Sequence, residues 1–112
     1  IVEAQTDQVV IEYHDWVPAS QDPNWSPEVR TYLSSWQANM TQSLGPAMDA
    51  KNKKNGVFNP ACFIHTGFRA DGPLIGNVSY YSAFDAWFYG ERPKLWKLQD
   101  ECGILCNPTC PH

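Results

Sequence analysis

The sequence predicts an α/β fold, and three observations carry that prediction. Short apolar runs occur near residues 1–11, at Cys62-Phe63-Ile64 and around Leu95, Trp96 and Leu98. Two longer stretches, from Ser26 to Gly45 and from about Ser79 to Tyr89, repeat apolar residues at helical spacing. The two kinds of segment alternate along the chain, the order expected when helices pack on a sheet. The 112 residues carry a formal charge of −4 with 43% hydrophobic side chains, which describes one globular domain or part of one.

Ile1 and Val2 with Val9, Val10 and Ile11 predict a strand end leading into a loop, and Pro18, Pro23 and Pro27 then punctuate a polar connection. Ser26-Pro27-Glu28 is a helix start: Ser suits the N-cap, Pro the first helical position, and Glu the positive end of the dipole. Val29, Tyr32, Leu33, Trp36, Met40 and Leu44 keep one face apolar until Gly45-Pro46 ends the helix. Asp49 to Asn55, with Lys51, Lys53 and Lys54, predicts a solvated loop. Gly56-Val57-Phe58 and then Cys62-Phe63-Ile64 suit a buried strand, with His65 at its end. Gly67, Gly72, Pro73 and Gly76 mark a loop. Tyr81, Phe84, Trp87 and Phe88 then space a second helix, which Gly90 and Pro93 stop. Leu95, Trp96 and Leu98 predict one more short strand.

The charge balance and the cysteines bound the class. An acidic chain with no basic cluster beyond Lys51–Lys54 is a poor partner for nucleic acid. No stretch approaches the roughly 18 apolar residues of a membrane span, and no signal peptide is visible. The chain opens on Ile1 and not Met, which reads as a processed chain or a portion of a longer product. Cys62, Cys102, Cys106 and Cys110 are even in number and favour two disulfides, with Cys62 pinning one C-terminal cysteine. A zinc site from Cys102, Cys106, Cys110 and His112 is the rival, against which stand its three-residue gaps. Asn24, Asn39 and Asn77 each open an N-glycosylation acceptor, so cysteines and acceptors together point to the secretory route.

In parallel sheets, functional side chains gather in the loops just past the strands' carboxyl ends. Asp7 and His65 are placed that way, and an acid followed by a histidine is how α/β-hydrolases order the last two members of a Ser, Asp, His triad. The nucleophile is missing from these residues. Thr41-Gln42-Ser43-Leu44-Gly45 lacks the first glycine of the Gly-x-Ser-x-Gly elbow and lies on the amphipathic helix. A complete hydrolase sheet of this kind also needs about 200 residues or more.

Four segments carry a family resemblance. Phe58-Asn59-Pro60-Ala61-Cys62-Phe63-Ile64-His65 resembles the segment in pectin acetylesterases and the Notum carboxylesterases where a cysteine precedes the catalytic histidine by three positions. The tail from Leu98 to Pro111, with Cys106-Asn107-Pro108-Thr109-Cys110, is similar to that family's ending. Ser82-Ala83-Phe84-Asp85-Ala86-Trp87-Phe88 resembles its tryptophan-bearing helix, and Glu3-Ala4-Gln5-Thr6-Asp7-Gln8 matches where the family puts its triad acid. The resemblance implies that residues 1–112 are the C-terminal portion of one α/β-hydrolase-like domain, with a parallel sheet, flanking helices and a disulfide-pinned tail. It implies a secreted serine carboxylesterase that cleaves acetyl or fatty acyl O-esters, with no cofactor and no metal. Its partners would be the N-terminal part of the hydrolase or another chain completing the sheet, and an acylated polysaccharide or acylated protein as substrate. His65 would be the base and Asp7 its supporting acid, with the serine supplied from elsewhere, so the 112 residues alone are expected to be inactive.

Other residues have plainer expectations. His14 beside Asp15 is expected in a surface loop, and Trp36, Met40, Trp87 and Phe88 are expected to pack in the core. Phe63 and Phe68, flanking His65, are the candidates for an acyl or leaving-group wall. A reading of a different class stays open: a secreted, non-catalytic, disulfide-stabilised binding or structural subunit derived from such a hydrolase. The five Trp and five Tyr could then supply a carbohydrate-binding surface.

Overall fold

The computed structural model of the protein describes residues 1–19 and 24–111. Pro23 and His112 lie outside the described residues. Three extended segments run parallel, side by side. In the middle is β1 (Val57–Asn59), which pairs in parallel with β4 (Lys97–Gln99), Val57 opposite Lys97 and Asn59 opposite Gln99. On its other side the opening residues join through parallel bridges, Val2 to Phe58 and Thr6 to Phe63. Glu3 N–H donates to the Phe58 carbonyl at 3.2 Å, Phe58 N–H to Ile1 at 2.9 Å and Gln5 N–H to Pro60 at 2.9 Å.

The sheet is covered on both faces, as parallel sheets are. Neighbouring side chains on a strand point to opposite faces, and β1 shows the consequence. Val57 packs with Leu44 and Ala47, and Phe58 with Ile75 and Ala83. The first layer is α1 (Pro27–Ser43) and the short α2 (Gly45–Met48). Ser26 caps α1 by accepting the Val29 N–H on its side chain, and Pro27 occupies the first helical position. Its apolar face buries Leu33 against Ile11, Trp25 and Phe63. Gly45-Pro46 does not end helical structure; it redirects the chain into α2.

The second layer is a hairpin followed by α3 (Tyr80–Phe88). The hairpin, β2 (Leu74–Ile75) with β3 (Val78–Ser79), lies where a loop was expected. Gly76 and Asn77 sit between its strands with φ of 54° and 63°, the left-handed pair that a tight hairpin turn requires and that Gly and Asn tolerate best. Ser79 ends β3 and caps α3 by accepting the Ser82 N–H at 3.2 Å.

Three further expectations need correction. Val9, Val10 and Ile11 are not a strand end: residues 8–9 are helical and Val10–His14 form one π-helical turn. Ile11 is fully buried there, because an isolated apolar run of this length fits either geometry. The buried strand lies at Val57–Asn59 and not at Cys62-Phe63-Ile64, where only Phe63 forms a bridge. Pro60 has no N–H to continue the ladder. The last strand is Lys97–Gln99, with Pro93–Leu95 a 3-10 turn and Trp96 its cap.

The four cysteines form Cys62–Cys110 and Cys102–Cys106, which leaves no thiolate for a zinc site. Cys62 thus ties the segment before His65 to the tail. Polar groups fasten the same tail: Asp100 accepts from Ala61 N–H at 2.8 Å and from Asn107 Nδ2 at 2.7 Å, and Asn107 Nδ2 also donates to the Leu74 carbonyl. The hairpin and tail meet so closely at Gly72 that a Cβ there would lie 2.9 Å from the Thr109 carbonyl oxygen.

Candidate active site

Asp7 follows the first parallel segment and His65 follows the second, so adjacent carboxyl ends bring them together. His65 Nδ1 lies 2.9 Å from Asp7 Oδ2. The other oxygen, Oδ1, accepts the Val10 N–H at 3.0 Å, and Ile11 N–H bonds the Asp7 carbonyl. The helical turn after Asp7 therefore fixes its carboxylate from behind. The opposite element is fixed as well: Thr6 Oγ1 donates to the Cys62 carbonyl at 2.7 Å, and Gln5 Nε2 donates to Asn59 and Asp100 carbonyls. Gln37, reaching from α1, donates to Gln5 Oε1.

Burial divides the pair's roles. The Asp7 side chain is 7% exposed and the His65 side chain 51%. Burial alone would raise the Asp7 pKa. The hydrogen bonds from Val10 N–H, His65 and Glu3 outweigh it and hold the carboxyl below its ordinary value, so it is ionised at neutral pH. A carboxylate has no proton to give, so Nδ1 carries the shared proton and Nε2 is left as the basic nitrogen of neutral His65. The hydrogen bond to Asp7, then its charge, raise the His65 pKa above the ordinary imidazole value. The arrangement can take a proton at an accessible nitrogen and stabilise the resulting cation from the buried side.

Glu3 is a member of this cluster that the sequence did not single out. Burial first, then a hydrogen bond and repulsion from Asp7, raise its carboxyl to about 6. A straight strand would hold residues 3 and 7 ~13 Å apart; the chain bends at Gln5, and that bend has no signature in the residue types.

Other candidates fall elsewhere. His14 is exposed, and Asp15 accepts instead from Tyr32 Oη at 2.6 Å and Trp36 Nε1 at 3.3 Å. Phe63 is not a pocket wall: it is 3% exposed and meets Trp25 edge-on in the core beneath α1. Phe68 is half-buried against Phe58 and Tyr80. Trp36 and Met40 are partly buried against the core, whereas Trp87 and Phe88 are 38% and 64% exposed. Ser43 is bound to the Met40 carbonyl inside the α1 terminus and faces no base. Asn24, Asn39 and Asn77 are all exposed. Among the described residues, no group of His, Cys, Asp and Glu is arranged to hold a metal, and no helix is long and apolar enough to cross a membrane.

Comparison with known proteins bears on the family and the fold. The pectinacetylesterase family model matches residues 1–111. Among solved structures, the Wnt deacylase Notum from Drosophila superposes with a TM-score of 0.71 at 23% identity. That match covers 98% of this chain and 29% of the Notum chain, so the chain spans under a third of the fold it shares. Curated proteins return no match.

Proposed function

The chain belongs to the pectinacetylesterase family, and from that premise we propose that its residues form the acid–base portion of a serine carboxylesterase. The observation that supports this most directly is the 2.9 Å contact between His65 Nδ1 and Asp7 Oδ2 on a ring that stays half exposed. In this reading residues 1–112 are the C-terminal part of one α/β-hydrolase-like domain, and the serine lies in the portion of the fold that these residues do not span.

His65 Nε2 takes the serine hydroxyl proton as the oxygen attacks the ester carbonyl, and Asp7 stabilises the imidazolium. The same proton then passes to the departing alcohol oxygen, leaving the acyl group on the serine. Water, deprotonated by His65 in turn, releases the carboxylic acid. Asp7 stays ionised throughout. Membership of the pectinacetylesterase family favours an acetyl ester of pectin, and the likeness to a Wnt deacylase favours an acyl group on a protein; the base would serve an oxygen ester of either kind alike. The disulfides and three exposed glycan acceptors favour a secretory, extracellular setting.

The test is intact mass of the unreduced native species before and after a fluorophosphonate. One phosphonyl adduct on a species larger than the 12.7 kDa chain, lost in His65→Ala, is the expected result. An unlabelled native species overturns the esterase reading in favour of a non-catalytic binding or structural subunit.

A further inference from the structure

Every lysine of the chain reaches one surface. Lys51, Lys53 and Lys54 lie on the loop before β1, and Lys94 and Lys97 lie far later in the sequence, just before β4 and at its first residue. Because β1 and β4 are parallel, both segments meet at the strands' amino ends, opposite the ends that carry Asp7 and His65. The loop is pinned there and not merely solvated. Lys97 Nζ donates to the carbonyls of Asp49 and Asn52, and Trp87 Nε1 donates to the Lys54 carbonyl at 2.9 Å.

Two adjoining grooves result. Lys51, Lys53 and Lys54 line one of about 580 Å³, and Lys53, Lys94 and Lys97 line one of about 520 Å³, with Asn52 and Lys53 common to both. Among the described residues Asp49 is the one carboxylate that lines either groove, and no lysine makes an ion pair. Yet the sequence holds 12 acidic side chains against 8 basic ones. The charges are therefore segregated, and repulsion among the ammonium groups goes largely unrelieved. Edge protection would account for a lysine on β4, but not for three on a loop held beside it. Lys97 is engaged by backbone carbonyls, whereas Lys51, Lys53, Lys54 and Lys94 are exposed. Pro93 and the half-buried Trp96, whose indole N–H is fixed on the Glu91 carbonyl at 2.7 Å, add an apolar wall to the second groove. Such a wall suits the C–H face of a pyranose ring, and the Asn52 amide suits its hydroxyls.

We propose that the two grooves form a binding site for a linear acidic glycan, its ring carboxylates or sulfates pairing with Lys51, Lys53, Lys54 and Lys94 while one sugar lies against Trp96. A polyanion relieves the repulsion, and the secretory setting favoured above selects a glycan over nucleic acid. The site lies outside the Asp7–His65 machinery and stands whether or not the esterase reading does.

Isothermal titration of the native species with a polygalacturonate oligomer, a heparin oligosaccharide and a neutral galactan oligomer tests it. Binding of an acidic oligomer and not of the neutral one is expected, and preference for uronate or for sulfate identifies the source. Lys53→Glu is expected to weaken binding about tenfold, and Lys51→Glu/Lys53→Glu/Lys94→Glu about 100-fold. Arg69→Glu, an equal charge change outside both grooves, is expected to leave binding within about twofold. Failure of both acidic oligomers to bind overturns the proposal. So does an equal loss in Arg69→Glu, or single-stranded DNA bound as tightly as the glycan. Fluorophosphonate labelling keeps the two readings apart. A labelled species that binds neither acidic oligomer sinks this site and leaves the esterase standing; an unlabelled species that binds one through these lysines does the reverse.

Discussion

The Asp7–His65 corner and the outer face of α3 lie on one small domain and are built in opposite ways. At the corner each carboxylate oxygen has a donor, the histidine segment is tied down by Cys62–Cys110, and the His65 side chain is half exposed. On α3 the helix is capped and regular, yet its largest side chains stand in the open. The corner has its local chemistry in full. The face has apolar area left exposed among the described residues, and the hydrophobic effect gives such area a value only when it is covered. A polar site can thus be finished by a handful of nearby bonds, whereas an apolar face gains only from area laid over it.

The contrast breaks most sharply at the corner. In the serine-bearing species, Asp7→Asn is expected to lower kcat about 10⁴-fold with little change in KM, because the amide favours the wrong imidazole tautomer. Steady-state hydrolysis of an aryl acetate reads this directly. Next in size is the tether. Replacing both Cys62 and Cys110 with Ser opens a 48-residue separation and should cost about 4 kcal/mol in urea unfolding. On α3, Phe88→Asp should cost about 2 kcal/mol where the face is covered. On a face open to water the same change would fall within about 0.5 kcal/mol, so the unfolding midpoint sharpens the comparison.

The smallest effects are in pH. In the proposed esterase His65 acts as a neutral base, so its raised pKa is expected to move the acid limb of kcat/KM above the ordinary 6.5. For stability the signs oppose. The raised His65 contributes below 6.5 and loses its share as pH climbs through its higher native value. The lowered Asp7 contributes above 3.8 and loses its share as pH falls through its native value. Glu3, raised from 4.5 to about 6, costs stability as pH rises across that interval. Glu3→Gln should flatten that slope in pH-dependent unfolding and draw the acid limb slightly downward, since the Glu3 charge supports the imidazolium.

How much of this was legible depends on the range of the forces involved. Caps at Ser26 and Ser79 and apolar spacing are local, so α1 and α3 lie within two residues of where the sequence puts them. The Asp7–His65 pairing was legible because parallel strands deliver their carboxyl ends to one place. Helical spacing correctly groups Tyr81, Phe84 and Phe88 on one face, but periodicity does not say whether a face has a partner. That is why Trp87 and Phe88 were expected in the core. Val9–Ile11 satisfies strand and helix alike, and the Asp7 cap on Val10 N–H decides for the helix. Gly76-Asn77 carried a hairpin signal that the surrounding Gly and Pro residues obscured.

The disulfide between Cys62 and Cys110 bears on what a proteolytic cut would do. The exposed turn at Arg69 is an obvious place for a tryptic cut. Such a cut would fall inside the loop that the bridge closes, so the two pieces would remain one molecule. Asp7 and His65 would stay together on the same piece, and the scission would come to light only after reduction.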